Sequence, residues 1–226
     1  MDQANVFGAP KALDDSEAAA LTIGYQTAWF ALHRRTSITS GDVLLVHAAA
    51  GGVGSAAVQL GKAAGATVIG VVGGPEKAHY ATELGADLVI DRHREDFVPT
   101  VKEFTGGHGA DIVFDPVGGD AYAGSTKCIA FEGRIVVIGF AGGVIPRPAL
   151  NHALIKNYSI VGLHWGLYQA KDPAVIDRCH AELTRLADAG LLRPLIGERL
   201  GIADVAEGIG RLGDGSTVGR LVFTPS

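Results

Sequence analysis

Eight residues, His47-Ala48-Ala49-Ala50-Gly51-Gly52-Val53-Gly54, follow the apolar run Val43-Leu44-Leu45-Val46 and lead into a segment of helical spacing. Glycines at a strand-to-helix junction permit a tight turn and close approach of the backbone to a pyrophosphate. The helix that begins there offers free N–H donors and the positive end of its dipole. Measured against G-x-G-x-x-G, Ala49 stands at the first position, with Gly51 and Gly54 at the second and third. Such a turn can also serve as a ligand-free link. The strand and helix units repeated along the chain favour a dinucleotide.

The kind of dinucleotide is read at the end of the second strand. An NAD site carries Asp or Glu about 20 residues beyond the turn, where the carboxylate accepts from the ribose 2′-OH. Here that strand ends Val71-Val72-Gly73-Gly74, Lys77 opens the next helix, and Arg92 follows the third strand. Cations at those places pair with a 2′-phosphate, so NADPH is expected over NADH. The plainer alternative is that Lys77 and Arg92 are solvated surface charges.

No side chain is expected to act as a catalyst. There is no G-x-S-x-G elbow, no H-E-x-x-H and no cysteine and histidine set spaced for zinc. Cys128 and Cys179 are expected to pack within helices, and His47 and His164 to be hydrogen-bonded strand residues. Asp115-Pro116 is expected to end a strand, because proline removes a donor and biases its predecessor to extended geometry.

Positioning such a site takes an alternation of buried strands and amphipathic helices. Strands are expected near Val43 to His47, Thr67 to Val72, Asp87 to Asp91, Asp111 to Asp115, Arg134 to Gly139 and Ser159 to His164. Helices are expected at Ser16 to His33, Val53 to Ala64, Pro75 to Leu84, Asp96 to Phe104, Tyr122 to Phe131 and Pro173 to Ala189, with a short one at Ala203 to Leu212. A last strand is expected near Gly219 to Phe223. This is the α/β pattern of a doubly wound parallel sheet, the Rossmann fold, with six main strands. The organisation read from it is a lead-in and linking helix (1–35), a dinucleotide-binding domain (36–166), and a C-terminal helix and remnant of a second domain (167–226).

The 226 residues include 32 glycines and carry a formal charge of −5 with no basic stripe, so nucleic acid is not an expected partner. No apolar run is long enough to span a bilayer and no signal peptide is seen, so a membrane is not expected either. Two cysteines suit a reducing cytoplasm.

The run AAAGGVG with Gln59-Leu60, the segment Val113-Phe114-Asp115-Pro116-Val117-Gly118-Gly119, the run Gly133 to Gly139, and Ala18-Ala19-Ala20 through Thr27-Ala28-Trp29 together resemble the zeta-crystallin-type quinone oxidoreductases of the medium-chain dehydrogenase/reductase superfamily. The resemblance covers nearly the whole chain. It implies zinc-independent hydride transfer from NADPH to a quinone, or as a variant to the double bond of an enone or enoyl thioester. It also implies that Thr27 sits near the nicotinamide, that Ala50, Gly51, Gly52 and Val53 cradle the pyrophosphate, and that Gly73 and Lys77 receive the 2′-phosphate. Val117, Gly139, Phe140 and Ala141 would lie along the nicotinamide side. Arg92 stands where the family often has Tyr, on the adenosine side.

Family members begin with a substrate domain of about a hundred residues, which precedes the segment present here. Without it the Ser16 to His33 helix and the final strand are expected to leave an apolar patch. A cofactor-binding or dimerisation module without turnover is the reading from another class. Ser159 to Trp165 resembles the strand by which relatives form homodimers.

Overall fold

The computed structural model describes residues 6–224. Six strands form its centre: β1 (Val43–His47), β2 (Thr67–Val72), β3 (Leu88–Asp91), β4 (Ala110–Asp115), β5 (Ile129–Val137) and β6 (Ser159–Gly162). They make one sheet in the order β3-β2-β1-β4-β5-β6, and every pairing is parallel. Parallel neighbours cannot be joined by hairpins. The chain therefore crosses back through α2 (Gly54–Ala63), α3 (Pro75–Glu83), α4 (Phe97–Phe104), α5 (Gly119–Cys128) and α6 (Leu150–Lys156). Strand order reverses between β1 and β4, and the crevice outside the carboxyl ends there is where doubly wound sheets bind ligands. This is the Rossmann architecture expected from the alternation.

Burial explains the runs of Val, Ile and Leu. Leu44, Leu45 and Val46 of β1 are fully buried, as are Ile112, Val113 and Phe114 of β4, because helices cover both faces of a parallel sheet. Ahead of the sheet, α1 (Asp15–Trp29) is started by Asp14. Its carboxylate accepts from the Glu17 N–H at 2.8 Å, while the Glu17 carboxylate accepts from the Asp14 N–H at 3.0 Å. Such a reciprocal cap contributes about 1 kcal/mol.

α1 docks along α2, where the Gln59 amide donates to the Tyr25 hydroxyl (2.7 Å) and the Arg193 carbonyl (3.0 Å). The Gln59 carbonyl oxygen accepts from the Arg193 N–H (2.7 Å). One side chain thus fastens three segments.

Beyond the sheet come α7 (Gly166–Lys171), α8 (Pro173–Asp188), β7 (Ile196–Gly201), α9 (Val205–Gly213) and β8 (Arg220–Thr224). Val175, Ile176, Cys179 and Leu183 of α8 belong to the same core as Leu44 and Val46. β7 and β8 pair in parallel as a separate two-stranded sheet.

Several boundaries differ from the sequence reading. The helix expected to reach Phe131 stops at Cys128, and β5 starts at once with Ile129. Its partner is Ala110 on β4, so a pairing distant in sequence overrides the helical pattern. β6 ends at Gly162, which leaves His164 on the following loop and exposed. α1 runs on into a π-helical turn, Phe30–Arg35, closed by Thr36, whose hydroxyl donates to the Ala31 and Leu32 carbonyls, both at 2.9 Å.

The apolar surface expected from the first helix and the final strand is a groove in which Ala19 and Ile23 of α1 meet Leu221, Val222 and Phe223 of β8. Ile23 is 59% exposed, but Leu21, Tyr25 and Ala28 are buried. A second apolar surface lies at α6, where Leu150, Leu154 and Ile155 are 72 to 77% exposed.

Candidate functional site

At the end of β1 the chain turns through Ala48, which holds a left-handed φ of +52°. The Ala48 carbonyl accepts from the Gly51 N–H at 2.8 Å. A side chain on Gly54 would collide with that same carbonyl and come within 3.1 Å of the Ala49 Cα. Gly54 therefore lets α2 start hard against the strand end, the packing duty of the third glycine in such turns. No side chain caps α2, and among the described residues no backbone acceptor takes the N–H groups of Val53 or Gly54, whereas the Gly52 N–H is turned to the Gly219 carbonyl in the bridge between Gly51 and Gly219. Ala50 faces the other way, its carbonyl accepting from the Gly219 N–H at 2.8 Å.

On the β2 side, Gly73 has the Arg92 guanidinium and the His93 ring at its open face, 3.1 to 3.2 Å from where a Cβ would stand. Lys77 of α3 is nearby in the chain, with its ammonium donating to the Gly215 carbonyl. A carboxylate that β2 itself does not supply arrives from β3. Asp91 accepts from the Gly74 N–H (2.8 Å) and the His93 N–H (3.1 Å), and these bonds hold it below the usual carboxylate range. Arg94 stands 3.7 Å from its other oxygen.

The remaining expected contacts gather across the switch point. Two loops zip together there: the Ala141 N–H donates to the Pro116 carbonyl (3.0 Å) and the Gly142 N–H to the Val117 carbonyl (2.9 Å). Asp115, at the tip of β4, accepts from the Val117 and Gly118 N–H groups, both at 2.9 Å. Val117, Gly139, Phe140 and Ala141 thus follow the carboxyl ends of β4 and β5, while Ala50 to Val53, Gly73, Lys77 and Arg92 follow those of β1, β2 and β3 on the other side of the switch point. Thr27, half-exposed on α1, lies one turn past Gly24, whose own missing Cβ would stand 3.1 Å from the Gly52 carbonyl.

One residue escaped the sequence reading. The Arg220 Nε lies 2.6 Å from the Cβ position of Gly52 and its Nη2 2.9 Å from that of Gly24. That Nε is buried without a hydrogen-bond partner, and loss of water lowers the Arg220 pKa. A buried guanidinium nitrogen lacking an acceptor is costly, and an anion on the glycine turn would supply one. Only the pairing of β8 next to the turn, through a bridge between Gly51 and Gly219, brings Arg220 there. A groove of about 580 Å³ beside it is lined by Thr22, Ile23, Trp165, Gln169, Arg220 and Phe223, among others.

The buried histidine has a structural environment. His47 Nε2 lies 2.8 Å from the Ser125 hydroxyl, and its ring meets Phe97 edge-on at 4.9 Å. Burial lowers its pKa to about 4, against the pull of Asp115, so the ring is neutral at physiological pH.

Residues 52–181 match the family described as zinc-binding dehydrogenase. The metal that this name implies does not fit the residues present. Among the described residues no group of three or more His, Cys, Asp or Glu could hold an ion. Both cysteines are buried, and burial pushes the Cys128 thiol up to about 11 and Cys179 higher still. Protonated thiols are poor zinc ligands.

The chain is 37% identical over 225 residues to the quinone oxidoreductase-like protein 2 homolog of Nematostella vectensis, covering 99% of this chain and 61% of that relative's length. It superposes on a mycobacterial protein solved as a complex with NADPH at a TM-score of 0.93, with 28% identity, over 100% of this chain and 69% of that one. A quinone oxidoreductase of Pseudomonas syringae matches at a TM-score of 0.89 and 32% identity, over 99% of this chain and 69% of that one. No helix among the described residues is long and apolar enough to cross a membrane. Fold, turn and relatives agree: the chain belongs to the zinc-binding dehydrogenase family, within the quinone oxidoreductase-like part of the medium-chain dehydrogenase/reductase superfamily.

Proposed function

We propose that this chain forms the cofactor-holding part of an NADPH-dependent, zinc-independent oxidoreductase that reduces quinones by direct hydride transfer. The observation that carries the reading is the pair of N–H donors at Val53 and Gly54, which no backbone acceptor among the described residues takes, beside the Arg220 Nε that lacks a hydrogen-bond partner. Donors and a cation converging at the head of a helix suit a diphosphate. When bound, the reduced nicotinamide supplies the hydride, and the protein has only to bind, orient and exclude water.

In this reading Ala50 to Val53 and Arg220 hold the diphosphate, while Gly73, Lys77 and Arg92 take the 2′-phosphate. The Asp91 carboxylate is kept from repelling that phosphate by its two N–H bonds and by Arg94. Thr27, Val117, Gly139, Phe140 and Ala141 flank the nicotinamide half, and the groove at Thr22, Trp165 and Arg220 faces the acceptor. Residues 36–166 are the cofactor domain, and 1–35 with 167–226 serve its junction to a substrate domain. We place the protein in the cytoplasm, where Cys128 and Cys179 stay as thiols. It acts as a homodimer joined along β6 and the outer face of α6.

Fluorescence titration with NADPH and NADH, followed by an oxidation assay with a simple quinone, tests the assignment. NADPH is expected to bind more tightly, and Lys77→Ala to lose about tenfold of that preference, the worth of one charge-assisted contact. Equal affinity for the two cofactors in the parent chain would remove the NADPH assignment. Binding without quinone-dependent oxidation would make the chain a cofactor module, and oxidation by an enone alone would replace the quinone.

A further inference from the structure

The open face of Gly73 carries one group that the proposed 2′-phosphate contacts leave unused. The Cβ position there lies 3.1 to 3.2 Å from the Arg92 guanidinium and 3.2 Å from His93 Cε1, so the imidazole stands level with a cation assigned to that phosphate. The backbone sets it there. Asp91 Oδ1 accepts from the His93 N–H at 3.1 Å and from the Gly74 N–H at 2.8 Å, which ties the loop after β3 to the end of β2 and leaves the ring over Gly73. Nδ1 of the ring is 4.0 Å from the same oxygen, outside hydrogen-bond reach. Among the described residues neither ring nitrogen makes a hydrogen bond.

We propose that His93 is a third cofactor-selecting residue: its protonated ring donates to the 2′-phosphate of NADPH alongside Lys77 and Arg92, and the preference for NADPH over NADH sharpens with that charge. The inference rests on the NADPH reading and adds a titratable contact to it. Histidine is the side chain that gains charge between pH 8 and 5, and a phosphate within reach favours the charged form. The other charges at this end of the sheet are Asp91, Arg92 and Arg94 after β3, Glu76 and Lys77 at the head of α3, and Asp214 on the loop ahead of β8. Two N–H bonds hold Asp91 below the usual carboxylate range and Ser216 does the same for Asp214, so both stay ionised down to about pH 6. His79, further along α3, is turned to Glu83 at 3.3 Å. NADH presents only a hydroxyl at the 2′ position, which gains far less from a new cation.

The test is calorimetric titration of the full chain with 2′-phospho-ADP-ribose and with ADP-ribose, acid-stable fragments of the two cofactors that differ only at the 2′ position. The 2′-phosphate itself takes up a proton at about pH 6, so the parent is compared with His93→Gln at the same pH. At about pH 6 the variant should lose roughly fivefold of the parent's preference for the phosphorylated fragment, a modest charge-assisted contact because the ring is 60% exposed and screened by salt. At about pH 8.5 the two should agree. His93→Arg, charged throughout, should exceed His93→Gln equally at both pH values. Every variant keeps the backbone N–H that bonds Asp91, so a side chain with no part in binding would leave all three proteins alike. Equal preference in the parent and His93→Gln at about pH 6 overturns the proposal and leaves the NADPH reading to Lys77 and Arg92. No preference for the phosphorylated fragment in any of the three removes that reading, and the proposal with it.

Discussion

At the β1 and β2 side of the sheet the glycine turn is hemmed in by the chain itself: Ala48 blocks Gly54, Arg220 covers Gly52 and Gly219 pairs with Ala50. At the β6 side, the outermost strand has no neighbour beyond it among the described residues, and Leu150, Leu154 and Ile155 stand in solvent. The first region has its shape imposed from within. The second presents an open strand edge and an apolar patch, the two features that a soluble surface ordinarily hides. Tight internal packing therefore marks where the chain must hold one geometry, and the exposed apolar surface is where the proposed second copy would pack.

Gly54→Ala gives the strongest test of the first half of that contrast. The new methyl meets backbone atoms of Ala48 and Ala49, which cannot rotate aside as a side chain would. A loss of about 3 kcal/mol in folding stability is expected, seen as a lower Tm, with NADPH affinity down by more than about tenfold. An unchanged melt and titration would mean that the turn is looser than its contacts imply.

Leu154→Asp probes the other half, through light scattering across a dilution series. Placing a charge in an apolar contact should weaken the dimer by about 2 kcal/mol, roughly 30-fold in its dissociation constant. The Tm extrapolated to the monomer should hold, since Leu154 is 77% exposed. If association persists unaltered, the α6 patch is not an interface and the contrast fails.

The smallest effect is expected at Ala48, whose φ of +52° suits glycine better than alanine. Ala48→Gly should raise stability by about 0.5 kcal/mol, the relieved strain slightly exceeding the added freedom of the unfolded chain. A drop in denaturant midpoint would show that the Ala48 methyl contributes more packing than its backbone costs.

Most of the central sheet was legible because its signals are local. β1 and β2 begin and end where the apolar runs do, and Pro75 and Asp96 mark helix starts. The glycine turn was readable for the same reason. What escaped depends on partners far along the chain. Ile129 to Phe131 continue a helical pattern yet begin β5, where Ile129 pairs with Ala110 of β4 ahead of a left-handed Glu132 that has no signature in the sequence. Asp91 reaches the end of β2 only because β3 lies next to it. Arg220 is 168 residues from Gly52 in the chain (220 minus 52), and no spacing rule spans that distance.

The bridge between Gly51 and Gly219 carries a thermodynamic consequence. One stretch of main chain faces the proposed diphosphate on one side and the closing β7 and β8 unit on the other. If a ligand on the turn holds that latch shut, the latch must tighten the ligand by an identical factor, since linkage is reciprocal. Cofactor occupancy would then be legible from outside, as the rate at which a protease finds the 202–218 segment.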